Sequence, residues 1–190
     1  MAEPRIVVPQ RPRPPWYASL ILSLQRRKYG RELEPARLWS RLPRAFVMLT
    51  LLYRALDRTS SPIDPGLRAL VQVRVSQVNW CAFCVDLNGA AALERFVAPE
   101  KLAALGEFER SPFYVERERA ALAYAEGMTD PARGVDDALF ERLRANHTEH
   151  QILELTALIA FQNLSSKFNA ALTVPAQGFC KLPVPPARER

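Results

Sequence analysis

Between residues 16 and 175 the apolar residues recur every three or four positions, and no two neighbouring stretches alternate with period two. Helices packed on helices are what such a chain can build. One segment is ambiguous. Leu67, Leu70, Val71, Val75 and Val78 form a helical stripe, while Val71-Gln72-Val73-Arg74-Val75 also alternates as a strand would. No partner strand lies nearby, so the segment reads as helix. Asp64 is its expected N-cap, with Pro65 at the first helical position. Upstream, a helix with Tyr17, Leu20 and Leu24 on one face should stop at Gly30, and a longer one should break or kink at Pro43. Downstream come a helix after the cysteines, a short one from about Pro99, one capped near Ser111, and one after a loop at Asp130-Pro131. A last helix, capped by Thr148, is apolar nearly all round from Ile152 to Phe161 and is expected to be the buried centre. The sum is an all-α bundle of seven to eight helices. It forms one domain over residues 16–175, between a Pro-rich arm (1–15) and a tail (176–190).

Apolar residues make up 48% of the 190, enough for a core without disulfide staples. The net charge of +6 is spread along the chain and alternates with acids, as in Glu116-Arg117-Glu118-Arg119. Solvated helix faces account for it, and no nucleic-acid partner is expected. No secretory leader is evident, and the run Ala45–Tyr53 is too short to cross a bilayer. The cytoplasm is therefore the expected location, with no membrane partner. Thiols are kept reduced there, and a CxxC is more often catalytic, redox-sensing or metal-binding than a staple.

Cys81 and Cys84 form such a CxxC where one helix ends at Asn79-Trp80 and the next begins. A helix N-terminus points unpaired N–H groups at a thiolate and lowers its pKa. Two sulfurs in a first turn can also close a disulfide. Zinc would need further ligands from Cys180, His147 and His150, and His147-x-x-His150 is tighter than the usual spacing. Inert packing is the third reading. Dithiol–disulfide chemistry is preferred, with no metal and no cofactor, and Cys180 is a plain or packed thiol. Cys81, Cys84 and Asn88 share one helical face, where Asn88 can hydrogen-bond and orient but cannot take a proton.

The stretch from Leu67 to Asn88, "LRALVQVRVSQVNWCAFCVDLN", resembles the signature of the carboxymuconolactone decarboxylase / alkyl hydroperoxidase D-like superfamily. That pattern runs Leu-Arg-Glu-Leu, an apolar helix, then Asn-x-Cys-x-x-Cys-x-x-x-His. The resemblance continues through Glu116–Thr129 and Val135–Asn163 and covers most of the chain. It implies an all-helical fold assembled into trimers or multiples. It also implies that the CxxC cysteines react with peroxide and close to a disulfide, and that an external dithiol, such as a lipoyl group, re-reduces it. The family's relay Glu aligns with Ala69 and its relay His with Asn88. Asp86, Gln77, Glu94, His147 or His150 are the groups that could substitute. On a helical projection Ala69 shares a side with Ser76 and Trp80, away from the Val/Leu stripe. The decarboxylase branch uses no CxxC, so that activity is not expected. The reading is a CxxC thiol–disulfide oxidoreductase and weak alkyl hydroperoxide reductase acting on a hydroperoxide or disulfide. The alternative is a non-enzymatic redox-sensing or scaffold oligomer that uses the CxxC as a switch. Helix-terminus reasoning favours a more exposed Cys81 for exchange; the family's order favours Cys84 for attack on peroxide.

Overall fold

The computed structural model describes residues 5–6 and 14–182; most of the Pro-rich arm and the end of the tail lie outside the described residues. Nine α-helices and one 3₁₀ turn are found among them, and no strand. They are α1 (Trp16–Tyr29), α2 (Glu34–Trp39), α3 (Pro43–Leu56), α4 (Pro65–Val78), α5 (Ala82–Glu94) and α6 (Pro99–Ala103). After the 3₁₀ turn (Ala104–Glu107) come α7 (Glu116–Thr129), α8 (Asp137–Asn146) and α9 (Glu149–Ala171). The count exceeds the expected seven to eight because Pro43 starts a new helix rather than kinking one, so the segment splits into α2 and α3.

The centre of the bundle is α4, not α9. Every residue of α4 from Gly66 to Gln77 is buried, against α5, α7 and α9. Burial on all sides explains why its period was hard to read. In α9 only one face is buried, and Leu153 is 68% exposed. Asp64 caps α4 by accepting from the Leu67 N–H at 2.9 Å, as its position predicted. Thr148 and Gln151 cap α9 reciprocally. The cap of α7 is Val115, not Ser111; its N–H donates to Glu118 Oε2 at 3.1 Å.

A central helix that carries polar side chains must pair them. Arg74 lies over the Phe108 ring, bonded to Glu126 and to Gln77 Oε1. Arg68 donates to Asp57 Oδ1 at 3.0 Å. Asp57 also receives Arg95 and the Tyr53 hydroxyl, so one buried carboxylate joins the end of α3, the start of α4 and the end of α5. Burial pushes the Asp57 carboxyl up, but the hydrogen bond and charge of Arg95, with Tyr53 and Arg68, outweigh it and hold it below its ordinary value.

A depressed folded-state pKa gives stability that is fully present above the unfolded carboxylate value. It is lost as pH falls through the folded one. Asp57→Asn should cost about 3–5 kcal/mol, because it strands two arginines on a neutral amide. Urea unfolding between pH 7 and pH 2.5 checks both points. The variant should start less stable and lose less on acidification than the parent.

Candidate functional site around the paired cysteines

The turn between α4 and α5 sets the site. Trp80 N–H bonds to Gln77 O at 3.1 Å and Cys81 N–H to Ser76 O at 3.0 Å, which is a Schellman closure. Its left-handed position, usually glycine, is held by Trp80 at φ 55, a strain of about 1–2 kcal/mol. Trp80 therefore lies past the helix end and does not share a helical side with Ala69 and Ser76. Ala69 is wholly buried in the main core.

The closure delivers Cys81 directly to the N-cap of α5, where its Sγ accepts from the Cys84 N–H at 3.2 Å. Both thiols are unbridged and belong to a second hydrophobic cluster, which α1, α2, α3 and α9 help to build. Cys81 is 1% exposed and Cys84 3%, so the expectation of a more accessible Cys81 fails. Its sulfur folds back over the first turn instead of pointing outward.

Cys84 Sγ accepts a hydrogen bond from Asn169 Nδ2 at 3.2 Å. Burial pushes the Cys84 thiol up, but the polar side chains near it, Cys81 and Asn169 foremost, bring it below the ordinary thiol value. Cys81 goes the other way: its hydrogen bond to Cys84, burial and the neighbouring charge hold its proton on. Of the two thiols, Cys84 is thus the more readily ionised.

The auxiliary residues expected from the sequence divide. Asn88 is buried and donates from Nδ2 to Ser76 Oγ at 3.3 Å; Ser76 Oγ also accepts from Gln162 Nε2 at 2.9 Å. Asn88 on α5 and Gln162 on α9 thus meet at Ser76 of α4. Gln77 faces Arg74, not the cysteines. Glu94 lies at the far end of α5 from the CxxC. His147 bonds to the Arg117 carbonyl and His150 pairs with Glu154, neither with a cysteine. Among the described residues no cluster of three or more His, Cys, Asp or Glu could hold a metal ion.

Asp86 has a different task. Its carboxylate accepts the N–H of Gln177 at 2.8 Å and of Cys180 at 2.7 Å. Gln177 in turn bonds the α1–α2 loop through Glu32 O and the Glu34 N–H. Residues 172–180, assigned to a domain end and a tail by sequence, form a strap over the cysteine cluster. Val174 packs into that cluster, Phe179 meets Tyr29 edge-on, and Phe168 at the root of the strap stacks on Trp39.

Sequence reasoning missed Gln162, Ser165 and Asn169. The signal was present. Ile152, Leu155 and Ile159 set the buried register of α9, and Gln162, Ser166 and Asn169 continue it with polar residues. Polar side chains in a core register must have partners.

The family model described as "Carboxymuconolactone decarboxylase family" matches residues 43–127. The uncharacterised protein YnjA of Escherichia coli strain K12 is 43% identical over 160 residues, 84% of this chain and 88% of that protein. ATU0492 of Agrobacterium tumefaciens, a protein of unknown function proposed as the antioxidant defence protein AhpD, is 27% identical. Its structure covers 70% of this chain and 91% of its own, at a TM-score of 0.66. The alkylhydroperoxidase AhpD core of a peroxidase-related protein from Ralstonia eutropha JMP134 shares the fold, with a TM-score of 0.81. It is 23% identical, over 96% of this chain and 97% of that one.

If Asp86 latches the strap, Asp86→Ala should admit large reagents to the cysteines. The rate with a bulky aromatic disulfide should rise several-fold, while the rate with iodoacetamide changes little. Equal rates for parent and variant with both reagents would exclude the latch.

Proposed function

Because the chain belongs to the carboxymuconolactone decarboxylase family, we propose that it is a CxxC thiol–disulfide oxidoreductase of the alkyl hydroperoxidase D-like kind, reducing organic hydroperoxides. Cys84 attacks and Cys81 resolves. The observation that carries this is the hydrogen bond from Asn169 Nδ2 to Cys84 Sγ at 3.2 Å, a neutral donor placed where it favours a thiolate. The Cys84 thiolate displaces the alkoxide from ROOH and becomes a sulfenic acid. Cys81 then attacks Cys84 Sγ, forming the disulfide and releasing the second oxygen as hydroxide or water. The products are an alcohol, water and the Cys81–Cys84 disulfide. A dithiol of the cytoplasm, of lipoyl type, returns the pair to its reduced state.

Ala69 and Asn88 stand where a proton relay would be, and a missing positioned base typically costs about 10²–10⁴ in rate. A slow peroxidase is the consequence. The buried thiols also favour a second reading, a redox switch that forms the disulfide once and does not turn over.

The same proposal includes self-association. Trp16, Leu20 and Leu24 on α1, Met48, Leu51 and Leu52 on α3, and Leu153 and Leu164 on α9 are exposed. These three helices pack in series, α1 on α3 and α3 on α9. So large an apolar face fits contact between copies of the chain better than contact with water.

Reduced protein mixed with a slight excess of cumene hydroperoxide and a dithiol tests the function. Peroxide loss should continue over many turnovers, with a 2-Da disulfide seen by mass spectrometry, and Cys84→Ser should abolish it. The rate should climb with pH to a plateau reached below the ordinary thiol pKa of about 8.5. A stoichiometric disulfide without turnover assigns the switch, and no disulfide defeats both readings. Light scattering should give a mass that is a multiple of 21.5 kDa. Met48→Glu with Leu51→Glu should reduce it to that of one chain.

A further inference from the structure

Four buried side-chain atoms lack a hydrogen-bond partner among the described residues: Gln25 Oε1, Gln72 Nε2, His147 Nδ1 and Asn169 Oδ1. An unpaired buried polar atom costs about 1–3 kcal/mol, and folded proteins leave few of them. Of the four side chains, Asn169 is the one with a hydrogen bond to a cysteine. It is 1% exposed and sits in the last turn of α9. Its place is fixed by the start of the strap: Leu172 N–H bonds to Phe168 O and Val174 N–H to Asn169 O. Its amide orientation is given by the hydrogen bond to the sulfur. Nδ2 faces Cys84 Sγ and donates to it at 3.2 Å, and Oδ1 is left as a buried acceptor beside the sulfur.

The neighbouring polar groups are already engaged. Ser76 Oγ donates to Gln72 O and accepts from Gln162 and Asn88. Ser166 Oγ donates to Gln162 O. An acceptor next to a sulfur nucleophile fits a substrate that carries an O–H on the atom under attack. A hydroperoxide is such a substrate, since its terminal, sulfur-accepting oxygen bears the hydrogen.

We propose that Asn169 is a catalytic residue that binds the hydroperoxide group: Nδ2 steadies the Cys84 thiolate while Oδ1 accepts the peroxide O–H and aims the terminal oxygen at Sγ. This rests on the hydroperoxidase reading and supplies part of what Ala69 and Asn88 do not. The S–O bond forms as the O–O bond breaks, and the hydrogen stays on the oxygen now bound to sulfur. The departing alkoxide takes the Cys81 proton and leaves as the alcohol. The Cys81 thiolate then attacks Cys84 Sγ, the S–S bond forms, and hydroxide leaves. Two electrons pass from the two sulfurs to the peroxide. Asn169 holds a proton in place and never takes one.

The test uses full-length protein with Cys81→Ser, which isolates Cys84. Two rates are followed against pH: sulfenic acid formation with cumene hydroperoxide, and alkylation by iodoacetamide, which needs the thiolate but offers no peroxide O–H. Asn169→Ala should move the alkylation midpoint to higher pH and slow the hydroperoxide reaction roughly tenfold to a hundredfold. The hydroperoxide rate should fall by clearly more than the alkylation rate. Asn169→Asp keeps the shape and an acceptor but loses the donor. It should raise the alkylation midpoint further, and it serves if the alanine variant fails to fold by circular dichroism. With a parent that reacts with hydroperoxide, equal loss in both rates, or loss in neither, overturns this role alone. A parent that is alkylated normally yet does not react with hydroperoxide overturns the hydroperoxidase reading and this role together.

Discussion

Burying α4 on every side is the constraint from which the rest follows. A helix at the centre of a bundle has no solvated face, yet α4 carries Arg68, Gln72, Arg74, Ser76 and Gln77. Three of them find partners elsewhere in the chain: Arg68 at Asp57 before α4, Arg74 at Glu126 on α7, and Ser76 at Asn88 on α5 and Gln162 on α9. Just past its end, Asn79 Nδ2 reaches both Asn163 Oδ1 and Ser166 Oγ at 2.8 Å. Each bond fixes the register of one neighbour against α4. The ion pairs at one end and the neutral hydrogen bonds at the other are consequences of the same burial. Isolated buried pairs add little net stability, but breaking one is costly, so they act mainly to make other packings unfavourable.

The cysteine site inherits this order. The strained closure at Trp80 and the cap at Cys81 orient α5, and the polar end of α9 is pinned to α4 through Asn79 and Gln162. Cys84 is caught between them. A thiolate in so dry a place needs a donor, and the neutral amide of Asn169 provides one without adding a second charge that would itself need pairing.

Access is the other consequence. Asp86, one of the residues expected to assist chemistry, spends both carboxylate oxygens on the backbone of the strap. That contact ties the strap to α5 two residues from Cys84.

The helical architecture was legible in the sequence because helical spacing is a local property. The cap at Asp64, the break at Pro43, the cap at Thr148 and the placing of the cysteines at a helix start all follow from residue types a few positions apart. What lay opposite each face was not legible. Helical spacing says that Gln162 and Asn169 share a face with Ile152 and Leu155, but not that this face meets Cys84, more than seventy residues earlier. Nor does it say that Gln77 turns to Arg74, that Asp86 takes the strap, or that α4 rather than α9 fills the centre. Those outcomes depend on which helices pack together, and packing is decided by the pairing demands of all the buried groups at once.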